Sequence, residues 1–260
     1  MLKRKIKFPV KLVSAGLIIL AALFFIIGRT VKVLKDLDCF KVKEVLFNKT
    51  EEGLDFSYLI GQNIFNLDLR KESRYISELY PAYKKVGLVR ILPNRLFIGF
   101  TERRPIAYVK LYRYFFTDGD LVLFGMPQGP QVLDLPVIAG LETKIFGAKP
   151  GKRYNVRELA EALNIIRDFD SNKALKECRI KRINAGSLAN TSFFLQLPDY
   201  QKGQTRPVPA LLEVKVGQGD IGDKIRVLAD LLNQMKKDSG NIKYIDLRFK
   251  EPVIKFKDAK

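Results

Sequence analysis

From Leu12 to Gly28 the chain carries no charged residue, and Ser14 is the one polar interruption among leucine, isoleucine, valine, alanine, phenylalanine and glycine. Seventeen residues in a helix, at ~1.5 Å each, span roughly 26 Å, close to the hydrocarbon thickness of a bilayer. The flanks are basic: Lys3, Arg4, Lys5, Lys7 and Lys11 come before, and Arg29, Lys32 and Lys35 after. A cleaved signal peptide shares the basic start and apolar middle, but it ends in a small-x-small site. Here Phe24-Phe25-Ile26-Ile27 runs directly into Gly28-Arg29. A buried core helix would rarely be this uniformly apolar. The run therefore reads as a retained transmembrane helix over residues 12–28. The denser positive cluster places a cytoplasmic basic tail at 1–11, and everything after residue 30 outside. A function there would work without ready access to ATP or NAD.

Charge narrows the partners. The chain has 46 Lys and Arg against 28 Asp and Glu, a formal +18. Setting aside the five basic residues before the run leaves 41 cations against the same 28 acids, a balance of +13 outside the membrane. An anionic lipid surface accounts for that balance. Nucleic-acid binding is the sharper reading, disfavoured because the charges are scattered and the compartment is wrong. The sequence has no His, which removes His-based triads and most zinc sites. Cys39 and Cys178 are expected to stay unpaired, although an oxidising compartment would permit a bond.

After a short polar stalk at 29–38, residues 39–109 follow a βααββ pattern. Phe40 to Phe47 has strand composition, with its alternation slipping near Glu44. Leu54, Tyr58 and Leu59 fit one face of a short helix closed by Gly61. Asp68 is placed to cap a second helix whose Ile76, Leu79 and Tyr80 face inward and which stops at Pro81. Val86 to Leu92 and the alternating Leu96, Ile98 and Phe100 form two strands about a Pro93-Asn94 turn. Residues 110–260 are richer in strands. Asp118-Gly119 marks a hairpin between Tyr114 and Phe124. Leu135 to Gly140 reads as an extended edge segment. Asn155 with Glu158 makes a capping-box pattern before a helix faced by Leu159, Leu163, Ile166 and Phe169. Phe193–Leu197 and Leu211–Val216 read as strands around a polar loop with Pro198, Gly203, Pro207 and Pro209. A second helix carries Ile221, Ile225, Leu228, Leu232 and Met235. Ile242–Phe249 and Val253–Phe256 close the chain around Pro252. The fold class is α+β: one membrane helix, a βααββ module, then a mixed-sheet domain with flanking helices.

Candidate chemistry is sparse. Gly217-Gln218-Gly219-Asp220-Ile221-Gly222 is a GxGxxG between a strand and a helix, with Asp246 downstream. It resembles a dinucleotide fingerprint, but a tight turn feeding a helix capped by Asp220 needs the same glycines, and no second parallel crossover is read downstream. Asp118 and Asp120 flank a turn glycine, where Asp serves local hydrogen bonding. Glu102-Arg103-Arg104 reads as a solvated ion pair at a domain junction. No cofactor, metal or catalytic residue is assigned, and no small-molecule substrate is expected. The last strands offer more. A terminal strand has a fair chance of lying at a sheet edge, and Lys243, Arg248, Lys250, Lys255 and Lys257 flank these two. Two readings stand: charge that guards an edge against aggregation, and a docking edge for a partner strand.

The order of these pieces resembles the FtsQ/DivIB family of bacterial cell-division proteins. Phe40-Lys41-Val42-Lys43-Glu44-Val45 is similar to the opening of the family's POTRA domain. Gly61-Gln62-Asn63-Ile64-Phe65-Asn66-Leu67-Asp68 resembles its inter-helix link. Ile91 to Ile98 and Thr101 to Ala107 resemble its hairpin and exit strand, Leu135 to Gly140 a piece of its second domain, and Tyr244 to Phe249 its near-terminal strand. The likeness spans nearly the whole chain and rests on order and spacing rather than on one motif. It implies a non-catalytic scaffold of the divisome, in the inner membrane at the septum, single-pass with the ectodomain outside. It also implies an FtsB/FtsL-type complex bound by strand addition, and further divisome contacts through the POTRA domain. The implied partner-binding residues are Tyr244, Leu247, Arg248, Phe249, Val253, Ile254, Lys255 and Phe256. Pro252 departs from the family's small, flexible turn, and without Trp an aromatic role near the end falls to Phe256. With Lys260 as the final residue, no long tail is expected beyond that strand. A POTRA-containing factor of envelope assembly or secretion is the alternative.

Overall fold

The computed structural model describes residues 10–48, 54–127, 129, 133–198, 211–235 and 241–257. The basic residues Lys3, Arg4, Lys5 and Lys7 and the loop residues Gly203, Pro207 and Pro209 lie outside them. The chain divides into two compact units, Met1–Leu79 with Tyr83–Thr101, and Tyr80–Ala82 with Glu102–Lys260.

The first unit opens with α1 (Val10–Asp36), so the residues expected as a stalk continue the helix to Asp36. From Gly16 to Thr30 every side chain is exposed, Phe24 by 80%. Among the described residues no helix is long and apolar enough to cross a membrane. Four further elements follow: β1 (Glu44–Phe47), α2 (Leu69–Leu79), β2 (Tyr83–Ile91) and β3 (Arg95–Glu102). They make a sheet in the order β1-β3-β2, with β1 parallel to β3. Leu96, Ile98 and Phe100 alternate into the core as their period predicts. Phe100 sits 4.5 Å from the Tyr83 ring and 6.0 Å from Phe56. Asp68 caps α2, its Oδ1 accepting from the N–H groups of Arg70 and Lys71 at 3.0 and 3.1 Å.

Three expectations change here. The first helix is a single 3-10 turn, Ser57–Leu59. The chain must return at once to pair Gly61 N–H with the Val42 carbonyl, which leaves too few residues to propagate a helix. Leu79 is exposed at the end of α2 while Ile76 alone of that helix is buried. The strand expected from Phe40 begins at Glu44, because Asp38–Phe40 is another 3-10 turn.

The second unit contains β4 (Ala107–Lys110), β5 (Tyr114–Thr117), β6 (Leu123–Phe124), β7 (Val137–Ala139), α3 (Arg157–Ser171), β8 (Arg179–Asn184), β9 (Ser192–Gln196), β10 (Leu211–Lys215), α4 (Ile221–Gln234), β11 (Ile242–Asp246) and β12 (Val253–Phe256). The strands form one mixed sheet ordered β12-β11-β10-β9-β8-β7-β4-β5-β6. Two helical crossovers build it, β7-α3-β8 and β10-α4-β11, and β4 pairs parallel to β7 as well. Both helices bury their apolar stripes in a single core. Leu159, Ile165 and Ile166 from α3 and Ile225 and Leu228 from α4 meet Ile183, Phe193, Val214 and Ile245 of the sheet. At ~1.5–3 kcal/mol for each fully buried aliphatic side chain, this burial outweighs any cap.

The helix of the expected capping box illustrates that balance. Its N-cap is Val156, with no side-chain cap, and Glu158 instead pairs with Lys144 at 3.2 Å. By contrast Asp220 does cap α4, accepting from Asp223 N–H. The hairpin at Asp118-Gly119 forms as expected, β5 against β6. Leu135 to Gly140 is not an edge: its β7 lies inside the sheet, parallel to both β4 and β8. Pro136 precedes the strand, where a missing N–H costs no ladder bond. Cys39 is exposed, Cys178 is buried, and both are free.

Candidate partner-binding edge

At one end of the large sheet lies β12, paired antiparallel to β11 through Ile245 with Ile254 and Asp246 with Val253. It has a neighbour on one side only. Its outer row of backbone N–H and C=O groups therefore meets no strand among the described residues, the condition for adding one. Ile254 is half-buried and packs onto the core, holding the strand down. Val253 and Phe256 remain 46% and 47% exposed, and Lys255 is exposed between them. The edge thus presents alternating apolar and cationic side chains beside backbone that no further strand covers.

The remaining candidates fall on β11 and the turn after it, and they have different environments. Tyr244 is half-buried, with the Lys215 Nζ 4.3 Å from its ring centroid. Leu247 is 3% exposed and belongs to the core, its N–H donating to the Lys215 carbonyl at 2.7 Å. No partner reaches that side chain without opening the sheet. Phe249 is 61% exposed, with the Arg248 guanidinium 5.9 Å from its ring.

Arg248 is a strut. Its Nε and Nη2 donate to Asp246 Oδ1 and Oδ2 at 2.9 and 2.7 Å, a forked pair, and its Nη1 donates to Asn190 Oδ1 at 2.9 Å. Asp246 is buried, and hydrogen bonding from Arg248 holds its carboxyl below the ordinary aspartate range. The pair ties the exit of β11 to the β8–β9 connection, so the edge is mounted on a fixed base. Neither Asp246 nor Asn190 was legible as part of this arrangement, because the residues lie 56 positions apart and share no periodicity.

The glycine motif sits in a complete β10-α4-β11 crossover, in which the strand read from Ile242 pairs parallel to β10; β12 follows antiparallel, so among the described residues no second parallel crossover lies downstream. Its turn is nevertheless filled by protein. Lys224 Nζ donates to the Val216 carbonyl at 2.6 Å and to the Gln218 carbonyl, and its pKa is lowered chiefly by burial. The Lys224 ammonium and the Val216 and Gln218 carbonyls thus occupy the inside of the turn. Gly217 has φ +56°, and a Cβ there would come within 2.9 Å of the Ala189 carbonyl and 3.0 Å of the Arg248 stem. The glycine is needed for that close approach. Arg103 likewise departs from its solvated reading: its guanidinium is mostly buried, 2.6 Å from Asp118 Oδ2. Asp118 Oδ1 meanwhile accepts from the N–H groups of Asp120 and Val122, the local role expected of a turn aspartate.

No family model matches the chain. Curated relatives do. The protein named cell division protein FtsQ from Geotalea daltonii is 26% identical over 220 residues, covering 84% of this chain and 74% of its own length. The FtsQ protein of Syntrophotalea carbinolica is 26% identical over 228 residues, covering 85% and 76%. That of Koribacter versatilis is 24% identical over 198 residues, covering 75% of this chain and 52% of its own length. These matches, at 24–26% identity, support an FtsQ-type cell-division protein. The mixed sheet that carries the edge lies in the second unit, and the glycine turn is a strand-to-helix joint of that sheet.

Proposed function

We propose that this protein is a non-catalytic cell-division scaffold, anchored in the cytoplasmic membrane by residues 12–28 and working outside it at the septum. It joins an FtsB/FtsL-type complex by accepting a strand along β12. Residues 39–109 act as a POTRA domain that contacts other divisome proteins, and residues 110–260 act as the docking domain. The observation that carries this reading is the uncovered outer edge of β12, set on a rigid base and flanked by Lys255 and Phe256. Backbone bonds along the edge supply affinity, and the flanking side chains select the partner. The helical run of exposed apolar side chains in α1 supports the anchor, since so apolar a surface is unfavourable in water. Tyr244, Val253, Ile254, Lys255, Phe256 and Phe249 are the proposed contact set. Leu247 supports the sheet from below and Arg248 positions the turn. The test is titration of the detergent-solubilised full chain with an FtsB-like peptide, followed by backbone amide shifts or crosslinking. Binding confined to 242–257 supports the proposal, and unchanged binding after deletion of 253–260 rejects it.

A further inference from the structure

A second surface lies where the parallel strands end. β4, β7, β8, β10 and β11 all run the same way, so the segments that follow them share one rim of the sheet. Contacts run along that rim. Tyr112 Oη donates to the Ala148 carbonyl at 2.7 Å, Gly140 packs on Gly186, and Gly217 packs on Ala189 and Arg248. Among the described residues of the second unit, the three most exposed large apolar side chains are Phe146 (77%), Phe249 (61%) and Tyr112 (60%). All three stand on this rim. Each has an exposed cation close in sequence: Arg113 beside Tyr112, Lys149 after Phe146, and Lys250 after Phe249. Arg113 lies over the Tyr112 ring at 5.2 Å.

Three aromatic tips in a row, separated by five strand spacings or on the order of 24 Å, suit a flat partner better than a compact one. Aromatic rings with adjacent lysine and arginine match the interface of an anionic bilayer, where rings settle at headgroup depth and cations meet lipid phosphate. On the rim Arg113, Lys149 and Lys250 stand against the exposed Glu142 and Glu251, and the surplus of +13 outside the proposed anchor adds to that positive balance. We infer that this rim is a peripheral contact for an anionic lipid surface. The inference rests on the anchored reading, which keeps the domain near lipid at high effective concentration.

The chain contains no Trp, so Phe146→Trp installs a single fluorescent reporter. The full-length variant is placed in nanodiscs of phosphatidylcholine alone or with one-third phosphatidylglycerol, each with brominated acyl chains. Leu211→Trp, at the opposite end of β10, is the control. Expected is at least twofold stronger quenching of the Phe146→Trp reporter in the anionic discs, reversed by 0.5 M salt and by Arg113→Glu with Lys149→Glu, with the control unaffected. Equal, weak quenching in both discs overturns the inference. So does a change seen only when a protein partner is added. Failure of the chain to enter discs at all would instead count against the anchor.

Discussion

The two outer edges of the large sheet are finished differently. At β6 the chain folds back on itself: Gly151 N–H donates to the Leu123 carbonyl, Leu123 N–H to Lys152, and Tyr154 N–H to Leu121, so residues 151–154 run alongside and satisfy the edge. At β12 no such segment lies alongside among the described residues. An uncovered strand edge invites unwanted pairing, and folds usually suppress it. Here one edge is closed by local backbone bonds while the other carries Lys255 and exposed apolar side chains. Under the proposed function, the first margin is structural and the second is the recognition edge.

The comparison breaks if the closed margin proves dispensable. Asp118→Ala removes the acceptor for Asp120, Val122 and Arg103 and leaves a mostly buried guanidinium without its carboxylate, held only by the bond from its Nε to the Pro81 carbonyl. About 3 kcal/mol of stability should be lost, measured by urea unfolding, with partner-peptide affinity at β12 unchanged once the protein is folded.

A smaller effect is expected at the base of the open margin. Asp246→Asn weakens the forked bond to Arg248 and should cost about 2 kcal/mol at neutral pH. Because the folded carboxyl titrates below the unfolded one, its stabilising contribution is present above the ordinary aspartate pKa of ~3.9. It fades as pH falls through the lowered folded value. The variant should therefore lose less stability than wild type between about pH 4 and pH 2, read from unfolding midpoints across that range.

The strand itself sharpens the contrast most finely. Lys255→Glu with Phe256→Ala should weaken peptide binding at least tenfold, about 1.4 kcal/mol. Stability should move by no more than about 0.5 kcal/mol, since both side chains are exposed. The reverse pattern, lost stability with intact binding, would make β12 an ordinary structural strand.

Much of this architecture was legible where periodicity is undisturbed. Leu96, Ile98 and Phe100, the stripe of α4, and the Asp118-Gly119 hairpin all appear where local pattern places them. β8 was not anticipated. Ile180 and Ile183 are both buried though three residues apart, because the register shifts between Ile180 and Arg182 and breaks the two-residue period. Its charged residues Arg179, Lys181 and Arg182 further disguised a strand inside the sheet. β7 was read as an edge, and only long-range pairing reveals its two parallel neighbours. The candidate edge was half legible. Terminal position and flanking lysines pointed to β12, but the burial of Leu247 and the strut formed by Arg248 depend on contacts with distant residues.

The two free cysteines make the molecule its own clock. A thiol reacts through its thiolate, and burial both hides Cys178 and pushes its pKa up, whereas Cys39 stands exposed just beyond α1. An alkylating dye should mark Cys39 promptly in the native protein, giving a site-specific handle without engineering. Reaction at Cys178 then waits on opening of the sheet-and-helix body, so the lag between the two labels times that opening in unmodified protein.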